Sequence, residues 1–450
     1  QHPCAGGSRM RVLHIGNIAN NAYNNAKFLR RKGIDADALT YDYSHVMSQP
    51  EWEDAVFDGE VDEYYPDWST VDLHGFRRPE WFHQIDVDRE HRNQWTGRAK
   101  HFYGQFWLEW QLLRAKETAR DAVRCLNLRW DFHRLVRYRQ DQLAYRDIAS
   151  LAPYVRYLGP FMKGYDIIQA YGLYEPKFAL LATPGTPLVA FEHGTMRDFP
   201  FENSDKGRWI SLAYQKARKV VITNADSIVA ARRMGLENVE FIPHPIDETK
   251  FRPQATPLSA ELRNRYACDF VLFSPARQNW PLKGNDKVIR AFAHVLKRST
   301  REAVLLLCAW GQETERSRKL IEELGIERRV AWLPPLNKMK LSLFYNAADV
   351  VLDQFTLGAF GTSTPEAMAC GKPVLLYLNE EVHKWCFPEM PPVVSASTDA
   401  EIANRLMELL DASPEERRGL GLLGRAWVEQ YHGWELVAEK HRRMYEEILS

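Results

Sequence analysis

The chain has 450 residues, 45% hydrophobic and 26% charged. That is ordinary for a soluble globular protein and too long for a single core, so two domains are expected. Its 59 basic and 59 acidic residues give a formal net charge of zero, which removes any global attraction to nucleic acid, and no apolar run approaches the ~20 residues of a membrane span.

Gln1 to Arg9 lacks an apolar signal region. The six cysteines form no Cys-x-x-Cys pair and have no histidine cluster beside them. A reduced chain in the cytoplasm is therefore expected, without a disulfide frame or zinc site. Met10 to Gly16 reads as a short apolar strand ending in glycine. The asparagine-rich stretch Asn17 to Asn25 follows as a loop, then a helix from Ala26 to Gly33 and a strand from Ile34 to Thr40. This βαβ unit has no G-x-G-x-x-G, so it is not a dinucleotide fingerprint. The asparagines suit either a polyol ligand or a plain surface turn.

The acidic, irregular stretch from Asp42 to Asp72 suggests no chemistry. From about Gly75 to Gly164 aromatic residues and arginines are interleaved, among them Trp81, Trp95, Trp107, Trp110, Trp130, Arg120, Arg129 and Arg134. This stretch predicts a mostly helical insertion, with one long helix through Ala115 to Cys125 and another over His133 to Leu151. Two readings stay open for it: an amphipathic hairpin packed on the domain, or a contact with a membrane surface or lipid-linked acceptor. Strands follow at Asp166 to Tyr171 and Pro187 to Phe191, the second running into Glu192-His193-Gly194. A polar cluster at the carboxyl end of an inner strand is where open α/β sheets bind ligands, although a lone histidine is more often structural. Val239 to Asp247, with prolines on both sides of His244, reads as a stiff crossover between domains.

Strand–helix alternation resumes at Phe270 to Pro275. In the loop after that strand, Arg277 and Lys283 can converge on one diphosphate, the first as a planar fork and the second as a point charge. Asp349 to Tyr377 is the most informative stretch. A short apolar strand, Val350 to Leu352, leads into a loop with Gly358 and Gly361. A helix is expected to open at Thr364 (N-cap) and Pro365, and to end at Gly371 before the strand Pro373 to Leu376. Amides at a helix N-terminus favour an anionic or hydroxyl-rich ligand. Glu366, one residue into the helix, can reach such a ligand or merely offset the helix dipole.

This stretch resembles the donor-binding signature of the nucleotide-sugar glycosyltransferases of GT-B fold, the large retaining family that includes glycogen and sucrose synthases and mannosyltransferases. Gly361, Glu366-Ala367-Met368-Ala369, Gly371 and Pro373-Val374 match it, as do Arg277, Lys283 and Gly284 upstream. The family's first glutamate, which touches the donor sugar, is replaced by Gly358, and Asp353 is a candidate substitute. The resemblance implies that Arg277 and Lys283 hold the diphosphate and that Glu366 binds the ribose. It implies that the amides of Gly358, Ala359, Phe360, Gly361 and Thr362 cradle sugar or phosphate, and that His193 contacts the sugar. It further implies that Gly16 and Asn17 face the donor phosphates and that backbone near Trp332 flanks the base.

The expected architecture is α/β: two Rossmann-like doubly wound domains facing a cleft. An N-terminal acceptor domain (10–245) carries the helical insertion, a donor domain (246–432) follows, and a last helix (433–450) returns to the first domain. The expected activity is retaining transfer of a sugar from a nucleotide-diphosphate sugar to a glycan or lipid-linked acceptor. No metal or other cofactor and no nucleic-acid partner is expected; peripheral contact with the inner face of a membrane is an alternative to a purely cytoplasmic site. Two rival activities stay open: an epimerase or phosphorylase on the same fold, and a nucleotide-sugar-binding protein without catalysis.

Overall fold

The computed structural model describes residues 10–41, 45–86, 123–149, 151–172 and 175–450. The first sheet has seven strands, β1 (Arg11–Ile15), β2 (Asp35–Tyr41), β3 (Phe82–Ile85), β4 (Ile167–Tyr171), β5 (Leu188–Glu192), β6 (Lys219–Ile222) and β7 (Val239–Phe241). The second has six, β8 (Phe270–Ser274), β9 (Ala303–Cys308), β10 (Val330–Leu333), β11 (Val350–Leu352), β12 (Val374–Leu376) and β13 (Val394–Ser395). Their orders are β3-β2-β1-β4-β5-β6-β7 and β10-β9-β8-β11-β12-β13, and the strand pairs are parallel. Both sheets thus reverse direction beside their first strand, at β1/β4 and at β8/β11. The crevice beyond such a switch point is where doubly wound sheets take ligands.

Burial on both faces explains the near-continuous apolar strands. In β8, Val271 and Phe273 join one core cluster, whereas Phe270 and Leu272 join the other. The first sheet divides in the same way, with Leu13 and Ile15 on one face and Val12 on the other.

The two crossings between the domains are tied together. Ile246 pairs with Gly433 as an isolated bridge; Ile246 N donates to His432 O at 2.8 Å and Trp434 N to Ile246 O at 3.1 Å. The last helix, Trp434–Leu449, lies against the first domain: Trp434 stacks on Phe28 with centroids 5.5 Å apart, and Tyr445 donates to Gln169 at 2.7 Å.

Two local expectations need correction. The asparagine stretch is not all loop, because helix Asn21–Arg31 begins inside it. The loop turns there through two left-handed residues, Ala19 (φ 51°) and Asn20 (φ 55°). The expected helix from His133 to Leu151 is broken: residues 123–135 are helical, and further short helices run Tyr145–Ala149 and Ala152–Leu158. Arg139 explains part of the break, since it forks onto Asp141 at 2.7 and 2.6 Å and also reaches the carbonyls of Pro200 and Glu202. The other long helix of the insertion falls mostly outside the described residues, as do Trp95, Trp107, Trp110 and Arg120.

Candidate active site

The segments that follow β1 and β11 line the crevice between the domains, and the loops after β5 and β8 leave the carboxyl ends of other inner strands. The β1 loop is held rigidly. Gly16 sits at φ +88°, and a Cβ there would come within 2.6 Å of Glu175 Cγ and 2.7 Å of Tyr171 O. Asn17 is 1% exposed. Its amide donates to the Asn20 side chain (2.8 Å) and to Ser48 O (2.7 Å), and its carbonyl accepts from Tyr23 N (2.9 Å). The Asn17 side chain is therefore spent on shaping the loop. Asn20 in turn donates to Gln49 O at 2.8 Å. Together these bonds fix the start of helix Pro50–Asp54, which carries Glu53 to the cleft. The acidic stretch around it, from which no chemistry was expected, thus supplies a site residue.

At the end of β5, Glu192 is fully buried and works as a local cap. It accepts from the backbone of Gly194 (2.7 Å) and Met196 (2.6 Å) and from Ser227 Oγ (3.0 Å). This orders the turn that carries His193. Burial pushes the His193 imidazole below its ordinary pKa, and its Nε2 is buried without a partner. His244, on the crossover, has a buried Nδ1 with no partner. Burial pushes its pKa down to about 3, with His432, His193 and Lys338 adding to the effect. His193 and His244 are therefore neutral hydrogen-bonding groups at pH 7.

In the second domain, Arg277 and Lys283 leave β8. Among the described residues neither has a carboxylate partner, and the Arg277 guanidinium lies 5.7 Å from the Trp310 ring centroid. The Lys283 carbonyl accepts from Phe355 N at 2.8 Å, which links this loop to the one after β11. There, Gln354 is completely buried and binds Ala359 O, Tyr377 O and Leu357 N, so it shapes the loop from inside. Ala359 and Phe360 are buried, and Phe360 stacks on His383. Thr362 reaches the cleft, and Gly361 lines a neighbouring pocket beside His244. Gly358 has φ +70°, and a Cβ on it would stand 2.8 Å from Asn379 Cβ and 2.9 Å from the Tyr377 ring. The backbone here thus leaves no room for a side chain at position 358.

Asp353 does not fill that role. It accepts from Thr364 Oγ1 at 2.6 Å in a buried setting, so Thr364 is an internal tie and not the helix cap. The helix runs Ser363–Ala369 with Thr362 at its N-cap. Glu366 is buried between Lys338, which pairs with Oε1, and the Tyr345 hydroxyl, 3.3 Å from Oε2. Burial raises its pKa, and Lys338 opposes that shift. Trp332 stands apart on edge strand β10, with the Arg318 guanidinium 4.5 Å over its ring.

Between the domains these parts enclose a cleft of about 400 Å³, counting its open mouth. Its walls include Asn21, Asn24, Glu53, His244, Asp247, Lys338, Thr362 and Glu366. Arg277 and Lys283 are not in its wall; they stand at the carboxyl end of the neighbouring strand, since β8 and β11 are paired. Sequence reasoning missed Glu53 and Lys338. Only the proline that opens helix Pro50–Asp54 hinted at the element that carries Glu53, and nothing local marked Lys338.

Residues 265–421 match the family described as Glycosyl transferases group 1. Over these residues the second domain is similar to that family. The match takes in the Arg277, Lys283 and Glu366 loops, and the two-domain GT-B architecture encloses it. The chain is 34% identical over 175 residues to a D-inositol 3-phosphate glycosyltransferase of Nocardia farcinica, 35% of this chain and 38% of the relative. It is 26% identical over 290 residues to an MMP alpha-(1->4)-mannosyltransferase of Mycolicibacterium hassiacum, 60% of this chain and 67% of the relative. The first alignment thus spans well under half of that relative's length. In three dimensions the chain is similar to the Anabaena protein HepE solved with UDP and glucose. The TM-score is 0.65 at 16% identity, covering 97% of this chain and all of the other. Among the described residues no helix is long and apolar enough to cross a membrane.

Proposed function

We propose that this protein is a glycosyltransferase that moves a sugar from a nucleotide-diphosphate sugar to a hydroxyl of a glycan or lipid-linked acceptor, with retention and without a metal or other cofactor. The observation that carries this reading is the pairing of β8 with β11. Two cations with no carboxylate partner among the described residues, Arg277 and Lys283, lie in the loop next to the one that leads to Gly361, Thr362 and Glu366. A diphosphate leaving group gains negative charge as the sugar–oxygen bond breaks, and preorganised cations at that point lower the barrier. Arg277 and Lys283 take this role, while Glu366 accepts from hydroxyls of the nucleotide. His193, neutral because burial disfavours its charged form, donates to or accepts from a sugar hydroxyl. In the retaining step the acceptor oxygen bonds to the anomeric carbon on the face the diphosphate leaves, and the acceptor proton passes to the departing phosphate. The inositol-phosphate and mannosyl activities in the relatives' names support a hydroxyl-rich acceptor.

A lipid-linked acceptor is favoured by helix 123–135. Val123, Leu126 and Trp130 are 58%, 65% and 63% exposed there, and Arg134 lies over the Trp130 ring. Apolar groups flanked by arginine suit an anionic surface. Stronger sedimentation with anionic than with neutral vesicles, lost in Trp130→Ala, would support this; no sedimentation would leave a soluble acceptor.

The activity is tested by thermal shift against UDP, GDP, ADP, dTDP and their sugar conjugates. A ligand at about 100 times its Kd adds roughly 2.7 kcal/mol. A shift with one nucleotide, lost in Arg277→Ala, is the expected result. No shift with any of them would remove the donor site. A shift with no transfer to any acceptor would favour a binding protein, the reading that the glycine at position 358 supports.

A further inference from the structure

The wall of the cleft contains buried polar atoms that nothing among the described residues satisfies. Glu53 Oε2, Asn24 Oδ1 and His244 Nδ1 all lack a partner, and all three residues line the same cleft. Glu53 is 4% exposed, and its other oxygen accepts from Lys250 at 2.8 Å. The cations nearby are already engaged. Lys250 also binds Asp54 at 2.7 Å, Lys27 binds Asp54 at 2.9 Å, and Lys338 pairs with Glu366. The unused capacity at this point is therefore mainly hydrogen-bond acceptance, with a second carboxylate, Glu366, on the opposing domain. A buried acceptor without a donor is costly, and a ligand that supplies the donor recovers that cost. An anionic group would meet two carboxylates here.

We infer that Glu53 is a substrate-binding residue and that, with Asn24 beside it and Glu366 across the cleft, it grips an uncharged group carrying vicinal hydroxyls. The inference rests on the glycosyl-transfer reading, in which two such groups occur: the ribose of the nucleotide and the hydroxyl-bearing ring of the acceptor. The chemistry is the same for both. Glu53 makes and breaks no covalent bond in this role. Burial favours its neutral form, but Lys250, Lys338 and Lys27 outweigh burial and keep it ionised, so it accepts hydrogen bonds and does not shuttle protons. Phosphate is left to Arg277 and Lys283.

The test is isothermal titration of the full chain with UDP, GDP, ADP and their 2′-deoxy forms, and with myo-inositol and methyl α-mannopyranoside as neutral polyols. Wild type is compared with Glu53→Gln and with Lys250→Met, which removes the ion pair but keeps the carboxylate. Glu53→Gln is expected to weaken at least one hydroxyl-bearing probe about tenfold or more, the range for a hydrogen bond to a charged group, and more than Lys250→Met does. If the weakened probe is a nucleotide and its 2′-deoxy form is insensitive to the substitution, the ribose is the ligand. If nucleotides bind unchanged and a polyol is weakened, the acceptor is the ligand. Should Glu53→Gln fail to fold, Asn24→Ala carries the same comparison, because its side-chain oxygen has no internal bond to lose. Variants that match wild type with every probe, including no binding by either, would overturn the inference. A polyol bound through Glu53 by a wild type that takes no nucleotide would overturn the donor reading and leave this site standing.

Discussion

Replacing Lys338 by methionine tests the electrostatics of the cleft directly. The Glu366 side chain is 4% exposed and that of Lys338 13%, so their ion pair is largely out of water. Without the lysine, Glu366 keeps only the neutral Tyr345 hydroxyl, 3.3 Å away. Removing one partner of a buried pair costs about 3–5 kcal/mol. At roughly 2–4 °C per kcal/mol for a domain of this size, the melting midpoint at pH 8 should fall by about 6–20 °C. The sign with pH follows from linkage. Burial raises the folded-state pKa of Glu366 above its ordinary value of 4.5, and Lys338 opposes that rise. A raised carboxyl contributes stability that is fully present below the unfolded pKa and lost as pH rises through the folded one. In Lys338→Met the folded pKa moves higher still, so the deficit relative to wild type is smallest in acid and grows towards neutral pH. Thermal melts of both proteins at pH 5 and pH 8 measure this. Glu366→Gln added to the lysine variant should recover most of the loss at pH 8, because an amide has no charge to pair. Equal midpoints at pH 8, or a deficit that does not shrink at pH 5, would refute the reasoning.

Three further outcomes are expected. Gly358→Glu should not restore a sugar contact; forcing a Cβ to within 2.8 Å of Asn379 at φ +70° should cost about 1–3 kcal/mol, seen as a lower melting midpoint without tighter binding of nucleotide sugar. Thr364→Val removes the 2.6 Å bond to buried Asp353 and should cost about 1–3 kcal/mol in urea unfolding; an unchanged midpoint would show the bond to be dispensable. Lys250→Met should flatten the acid dependence of stability. Burial pushes Asp54 up, but Lys250 and Lys27 outweigh it, and the carboxyl lies well below its ordinary 3.8; its contribution is present above that value and is lost as pH falls through the folded pKa. Melts between pH 2 and 7 that lose stability equally in both proteins would contradict this.

Much of the second domain was legible because its signals are local. Pro365 and Gly371 bracket a helix, apolar runs mark β8 to β12, and Arg277, Lys283 and Glu366 lie in the loops or helix starts that follow such strands. The first domain was harder to read. The asparagine stretch looks the same whether Asn17 faces a ligand or ties the loop to Ser48, and helix Asn21–Arg31 has no side-chain cap to mark its start. Asp353 looked free because its partner, Thr364, had a plausible local role of its own as a cap.

The amino-acid order by itself determined the alternation of apolar strands and amphipathic helices, the proline-flanked crossover, and the two loop cations Arg277 and Lys283 after β8. Each of these depends on neighbours within a turn or a strand, where propensity and hydrophobic period are set. Tertiary structure alone decided which polar groups are spent and which remain open. Lys250 meets Glu53 across 197 residues and Lys338 meets Glu366 across 28. The charge balance of the cleft therefore exists only once the two switch points face each other and exclude water, since an ion pair or an unpaired acceptor carries weight only where solvent no longer competes for it.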